Sequence, residues 1–138
     1  MIATSSVILR VSPAEFIEIS GIEQFPDASG YTSQLAIGSG RFTCSEHPFY
    51  FDSLSEFARD ITKAYEHVEG KARLGNSYEE DFIEIEVLSG GHVSVTGRIV
   101  QHGPPRQELQ FEFRCDQTFL PELLRSLSQA TKELGGKL

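Results

Sequence analysis

Four histidines, two cysteines and twenty acids are the side chains with which this 138-residue sequence could do chemistry. The histidines, His47, His67, His92 and His102, are far apart and fall on a strand end, a helix end and two turns. A metal site needs two ligands near each other on one element, at i, i+4 on a helix or as Cys-x-x-Cys. The sequence has neither spacing, so the histidines read as surface residues, and no metal or other cofactor is expected. A nucleophilic cysteine needs a neighbouring base and an electropositive setting. Cys115 precedes a helix, but Asp116 beside it would raise a thiolate's pKa, and both Cys44 and Cys115 read as buried structural thiols. No Gly-x-Ser-x-Gly elbow occurs, and Gly38-Ser39-Gly40-Arg41 lacks the lysine and helix of a phosphate loop.

Carboxylate pairs could do general acid–base work if two of them met unlike environments in a cleft. Glu84 and Glu86 instead alternate with apolar residues on one strand and face the same wet side, where Arg98 and Arg114 could neutralise them. No catalytic residue is therefore assigned. The placement of the acids says more than their pairing. Residues 1–69 hold ten acids against four bases, Arg10, Arg41, Arg59 and Lys63. Arg73 and Arg98 enclose a stretch without a base that contains Glu79, Glu80, Asp81, Glu84 and Glu86. A second acid-only tract runs through Glu15, Glu18, Glu23 and Asp27. If the two halves lie side by side, these tracts form a negative docking surface for a basic protein, with Phe16 and Phe82 as apolar anchors. The expected contacts are Glu79, Glu80, Asp81, Glu84 and Glu86, with Glu18 and Asp27 second.

The elements that must carry these residues show an internal repeat. Phe16-Ile17-Glu18-Ile19 recurs as Phe82-Ile83-Glu84-Ile85, and Phe49-Tyr50-Phe51 is echoed by Phe111-Glu112-Phe113. Each doublet is followed by an acid and a helix, which predicts two strand-strand-strand-helix halves, roughly 1–69 and 70–138, sharing a core within one domain. In the first helix Ser53 and Glu56 form a capping box, and Leu54, Phe57, Ala58, Ile61, Tyr65 and Val68 make one stripe ending at Gly70. The second helix has the stripe Leu120, Leu123, Leu124, Leu127, Ala130 and Leu134, with Pro121 in its first turn, Thr118 or Leu120 as cap, and Gly135-Gly136 as stop. Strands are expected over 7–11, 15–22, 34–37, 41–45, 81–88 and 92–100, and again around Leu109–Phe113. A three-residue loop, Ser89-Gly90-Gly91, would pair Val87 with Val93 and Ile85 with Val95, with Gly91 left-handed in a bulge. The fold class is α+β: antiparallel sheet built from two related halves, each followed by an amphipathic helix packed on one sheet face.

Composition fits this picture. A 39% hydrophobic, 23% charged chain of this length is a soluble globular domain large enough to need no disulfide scaffold. No apolar run approaches the ~20 residues of a membrane span, and the start lacks a basic signal-peptide region. Two cysteines suit a reducing cytoplasm. A net charge of −8 disfavours nucleic acid or an anionic membrane as direct partners.

The succession Gly70-Lys71-Ala72-Arg73-Leu74, Gly91-His92-Val93, Leu109-Gln110-Phe111-Glu112-Phe113 and Asp116-Gln117-Thr118-Phe119-Leu120 resembles the WapI-type bacterial immunity proteins. The resemblance covers mainly residues 49–134. It implies a cytoplasmic antidote that binds and blocks the toxic C-terminal domain of a contact-delivered toxin, commonly a nuclease. A basic toxin cleft and an acidic blocker agree in kind. The alternatives are a scaffold subunit whose acidic surface only keeps it soluble, forming a homodimer through Phe16 and Phe82, and a small-molecule enzyme with a deep carboxylate pocket.

Overall fold

Eight strands and two helices follow one another as two ββββα halves in the computed structural model, which describes residues 2–135. The first half contains β1 (Val7–Ser12), β2 (Glu15–Gln24), β3 (Tyr31–Ser39), β4 (Phe42–Phe51) and α1 (Leu54–His67). The second contains β5 (Gly70–Gly75), β6 (Phe82–Val87), β7 (His92–Gln101), β8 (Gln107–Asp116) and α2 (Leu120–Glu133). Each set of strands is an antiparallel four-stranded meander, ordered β1-β2-β3-β4 and β5-β6-β7-β8. The repeat predicts three strands per half; the first half has the four that its own strand patterns mark, and the second also has four. The fourth in the second half is β5, whose Ala72 and Leu74 are buried between exposed Lys71 and Arg73. Phe16 and Phe82 open the same stretch of the second strand of their halves, so the repeat is structural.

Alternation decides which side of each sheet is dry. Val7, Leu9, Ile17, Ile19, Leu35 and Ile37 of the first sheet point inward, as do Ile83, Ile85, Val87, Val93, Val95, Phe111 and Phe113 of the second. These side chains and the helix stripes form one buried cluster drawn from both halves. Val87 pairs with Val93 and Ile85 with Val95, the register that keeps apolar side chains on one face. The connecting loop has both Gly90 and Gly91 at left-handed φ, 82° and 81°. In the first half β3 and β4 run well beyond the apolar patches that mark them in the sequence.

The helices are exchanged between the halves. Helix α1 ends the first half yet packs against β5 and touches β6, while α2 returns to lie on β1; the two helices also touch each other. The Ser53 hydroxyl accepts from the Glu56 amide at 3.1 Å, one half of the capping box, while the Glu56 carboxylate lies 3.9 Å from Arg59. At the other end Val68, not Gly70, takes the left-handed cap at φ 54°. Gly70 serves a different purpose, since a Cβ there would stand 3.2 Å from the Ala64 Cβ where the chain passes α1 into β5. Helix α2 is entered through a short 3-10 turn, Gln117–Phe119, in which Asp116 rather than Thr118 or Leu120 supplies the capping oxygen, accepting from the Thr118 amide at 2.9 Å. Gly135 closes α2 at φ 80°, and Gly136 lies outside the described residues. Glu133, in the last turn of α2, accepts from the amides of Thr4 at 2.7 Å and Ser5 at 2.9 Å and so ties the start of the chain to α2.

Candidate partner-binding surface

Between β5 and β6 the chain makes a tight loop, 76–81, that holds three of the acids marked in the sequence. Asn76 shapes it: its side-chain oxygen accepts from the Tyr78 amide at 2.8 Å, and its amide nitrogen donates to Asp52 at 3.0 Å. Glu79 is exposed at the tip. Glu80 is also exposed but receives the Arg106 guanidinium at 2.9 and 3.0 Å, with Arg98 at 4.0 Å.

Asp81 faces inward and is only 7% exposed. One of its oxygens accepts from the Val100 amide at 2.9 Å; the other lies 2.8 Å from His47 Nε2. β6 stops pairing with β7 at Phe82–Arg98, so the Val100 amide projects beyond the ladder and the carboxylate takes the place of a strand. The expectations of an open Asp81 and a surface His47 are both corrected by this pair. A bulge in β4 between Leu35 and Ile37 of its partner strand, with Glu46 left-handed at φ 54°, turns His47 toward Asp81.

Glu84 and Glu86 do project from the outer face of the second sheet, as expected, but bases sit among them. Across the strand pair Arg73 faces Glu84 and Lys71 faces Glu86. The Arg73 guanidinium lies 3.9 Å from the centre of the Phe82 ring, with Arg98 at 5.6 Å, so the ring is bracketed by two cations. Arg114 bonds Glu112 at 3.2 Å on the same face. The second tract is placed differently. Glu18 stands on the outer face of β2 between Ile8 of β1 and Ala36 of β3. Asp27 is on the exposed β2–β3 loop, its pKa lowered by the side chain and amide of Ser29. The two tracts therefore lie on different sheets, and neither Glu18 nor Asp27 has an ion pair among the described residues.

Cys44, His47 and Asp81 come near one another, an association the sequence does not reveal. Cys44 and His47 line a groove between the edges of the two sheets together with Phe42, Ile99, Glu108 and Leu109. The chemistry of a nucleophile is nevertheless opposed here. Desolvation first, and then the Asp81 charge, push the Cys44 thiol's pKa up. Desolvation, Asp116 and Glu15 push Cys115 to about 11. A protonated thiol is a poor attacking group. Among the described residues no three His, Cys, Asp or Glu side chains are grouped to hold a metal ion, and no helix is long and apolar enough to cross a membrane.

A family profile described as the immunity protein WapI-like family matches residues 9–135. The chain belongs to that family. No curated protein and no solved structure matches it. For an immunity protein the surface is the working part, and two exposed aromatics on it went unmarked in the sequence. Tyr78, 94% exposed, stands at the tip of the acidic loop, and Phe42, 64% exposed, at the lip of the groove. The Asn76-Ser77-Tyr78 turn chemistry could have indicated the first; nothing local distinguishes the second from a core phenylalanine.

Proposed function

We propose that this immunity protein works without catalysis, in the cytoplasm, by binding a basic toxin domain, a nuclease in the most direct reading, and blocking its cleft. Family membership supports a toxin-immunity role. The observation that carries the basic character of the partner is the state of the acids. Glu56, Glu80, Asp81, Glu108 and Glu112 are engaged by Arg59, Arg98, Arg106, Arg114 or His47, while Glu15, Glu18, Glu23, Asp27, Glu79, Glu84 and Glu86 have no ion pair within 4.0 Å among the described residues. A net charge of −8 adds a long-range attraction for a cation. The carboxylates without an ion pair fall on both halves, Glu18 and Asp27 on the first and Glu79, Glu84 and Glu86 on the second, where Arg73 and Lys71 face Glu84 and Glu86 across the strand pair.

Affinity capture from the native cell, followed by co-expression of the captured domain with this chain, tests the reading. A basic toxin domain that kills alone, is silenced by the chain and binds it more slowly as salt rises is the expected result. Failure to protect against any captured domain, or an association rate unchanged between low and high salt, would overturn it.

A further inference from the structure

We infer that the toxin docks on the outer face of the first sheet, around Phe16, Glu18 and Ala36, and that the equivalent face of the second sheet is a neutralised copy. This rests on the immunity reading. The repeat supplies the comparison, because the same strand positions occur twice with different neighbours. On the second sheet the outward residues of β6, Phe82, Glu84 and Glu86, pair with Arg98, Thr96 and Ser94 of β7. On the first, Phe16, Glu18 and Ser20 of β2 pair with Gly38, Ala36 and Gln34 of β3. Phe82 has an arginine opposite it on the strand that follows and another, Arg73, over its ring; Phe16 has bare backbone on the strand that follows and a single arginine, Arg10, on the other side.

The consequences follow in shape and charge. A Cβ at position 38 would stand 2.5 Å from the Phe16 ring, so the ring packs directly against the Gly38 backbone, where any side chain would displace it. Ile8, Phe16 and Ala36, all half-buried, make an apolar centre with Glu18 inside it. The one base facing outward from these strands is Arg10, 5.3 Å from the Phe16 ring centre. Glu15, Glu23 and Asp27 stand at the margins of β2. The second face instead carries Lys71, Arg73, Arg98 and Arg114 among its acids. An apolar centre within an unpaired anionic margin fits a cationic protein surface with a flat apolar contact. A face on which four bases are interspersed among the acids presents a much weaker net field to such a partner.

Equivalent substitutions on the two faces test this. Ala36→Arg and Glu18→Lys are compared with Thr96→Arg and Glu84→Lys for affinity toward the captured toxin domain by calorimetry, with thermal unfolding as the check on folding. The expected result is a loss of about 30-fold or more for Ala36→Arg and Glu18→Lys, the range of a central interface contact. Thr96→Arg and Glu84→Lys should stay within about threefold. Equal losses on both faces, or a larger loss on the second, would overturn the assignment. If Ala36→Arg does not fold, Glu18→Gln keeps the shape and should still weaken binding by several-fold; unchanged binding would refute the proposal. A chain that dimerises through this face, becomes monomeric on Ala36→Arg and still binds toxin would also refute it. Wild-type protein that neither binds nor protects would instead bring down the immunity reading itself.

Discussion

Removing the Asp81 carboxylate should be among the most damaging single polar changes in this fold. Asp81→Ala deletes two hydrogen bonds to a charged acceptor, from the Val100 amide at 2.9 Å and from His47 at 2.8 Å. Hydrogen bonds to charged groups contribute about 1.5–3 kcal/mol each, and a buried donor left without a partner costs about 1–3 kcal/mol. The Val100 amide is buried and lies beyond the end of β6, so no strand is in place to receive it. A loss of about 3 kcal/mol is expected, a large share of the 5–15 kcal/mol that stabilises a typical domain. Asp81→Asn keeps an acceptor for the amide and should lose about half as much. His47→Ala leaves the Val100 bond intact and should cost about 1–2 kcal/mol. Urea unfolding of the single variants and of the Asp81→Ala, His47→Ala double variant gives the coupling directly. The double variant should be more stable than the sum of the singles implies by about 1 kcal/mol. A shift below about 0.5 kcal/mol for Asp81→Ala, or strict additivity, would refute the account of Asp81 as an internal brace.

Glu133 is held at about 2 by the Ser5 hydroxyl, then the Ser5 amide and Gln129, well below its ordinary 4.5. Its contribution to stability is complete above 4.5 and lost as pH falls through 2, so Glu133→Gln should flatten the acid limb of the stability curve in that window, read by urea midpoints against pH. Gly97→Ala places a Cβ 2.5 Å from both the Phe111 ring and the Phe82 carbonyl, and should cost about 3 kcal/mol in thermal unfolding. Val68→Gly relieves a β-branched residue at φ 54° and should stabilise by about 1 kcal/mol in the same assay. Both thiols should react with iodoacetamide at pH 7.5 far more slowly in the folded protein than in urea, as mass spectrometry would record.

What the sequence makes legible is what depends on local period. The stripes from Leu54 to Ile61 and from Leu120 to Leu127 name the buried helix faces, and the alternation in β6 and β7 decides the hairpin register to the residue. β5 is not among the expected strands, although Lys71, Ala72, Arg73 and Leu74 alternate, because it is short and entered from a helix. Nor are the extensions of β3 and β4. Ser33, Glu46, His47 and Pro48 carry no strand signal of their own, and pairing and a bulge hold them in the sheet. For the candidate surface, acids adjacent in the chain proved unequal in space. Arg106 reaches Glu80 across 26 positions and His47 reaches Asp81 across 34, contacts that no reading of neighbours can supply. A helix stripe likewise states that a partner exists without saying which sheet provides it.

That last point has a consequence for how the molecule can come apart. With α1 seated on β5 and α2 on β1, cutting the chain near position 69 would give two pieces, each with a sheet missing its cover and a helix whose apolar side faces water. Each piece alone would expose apolar surface and stick to its neighbours. The exchange therefore makes unfolding a joint event, and whatever holds one sheet together also slows the loss of the other. The interlock gives this member of an immunity-protein family a persistence that neither half would have by itself.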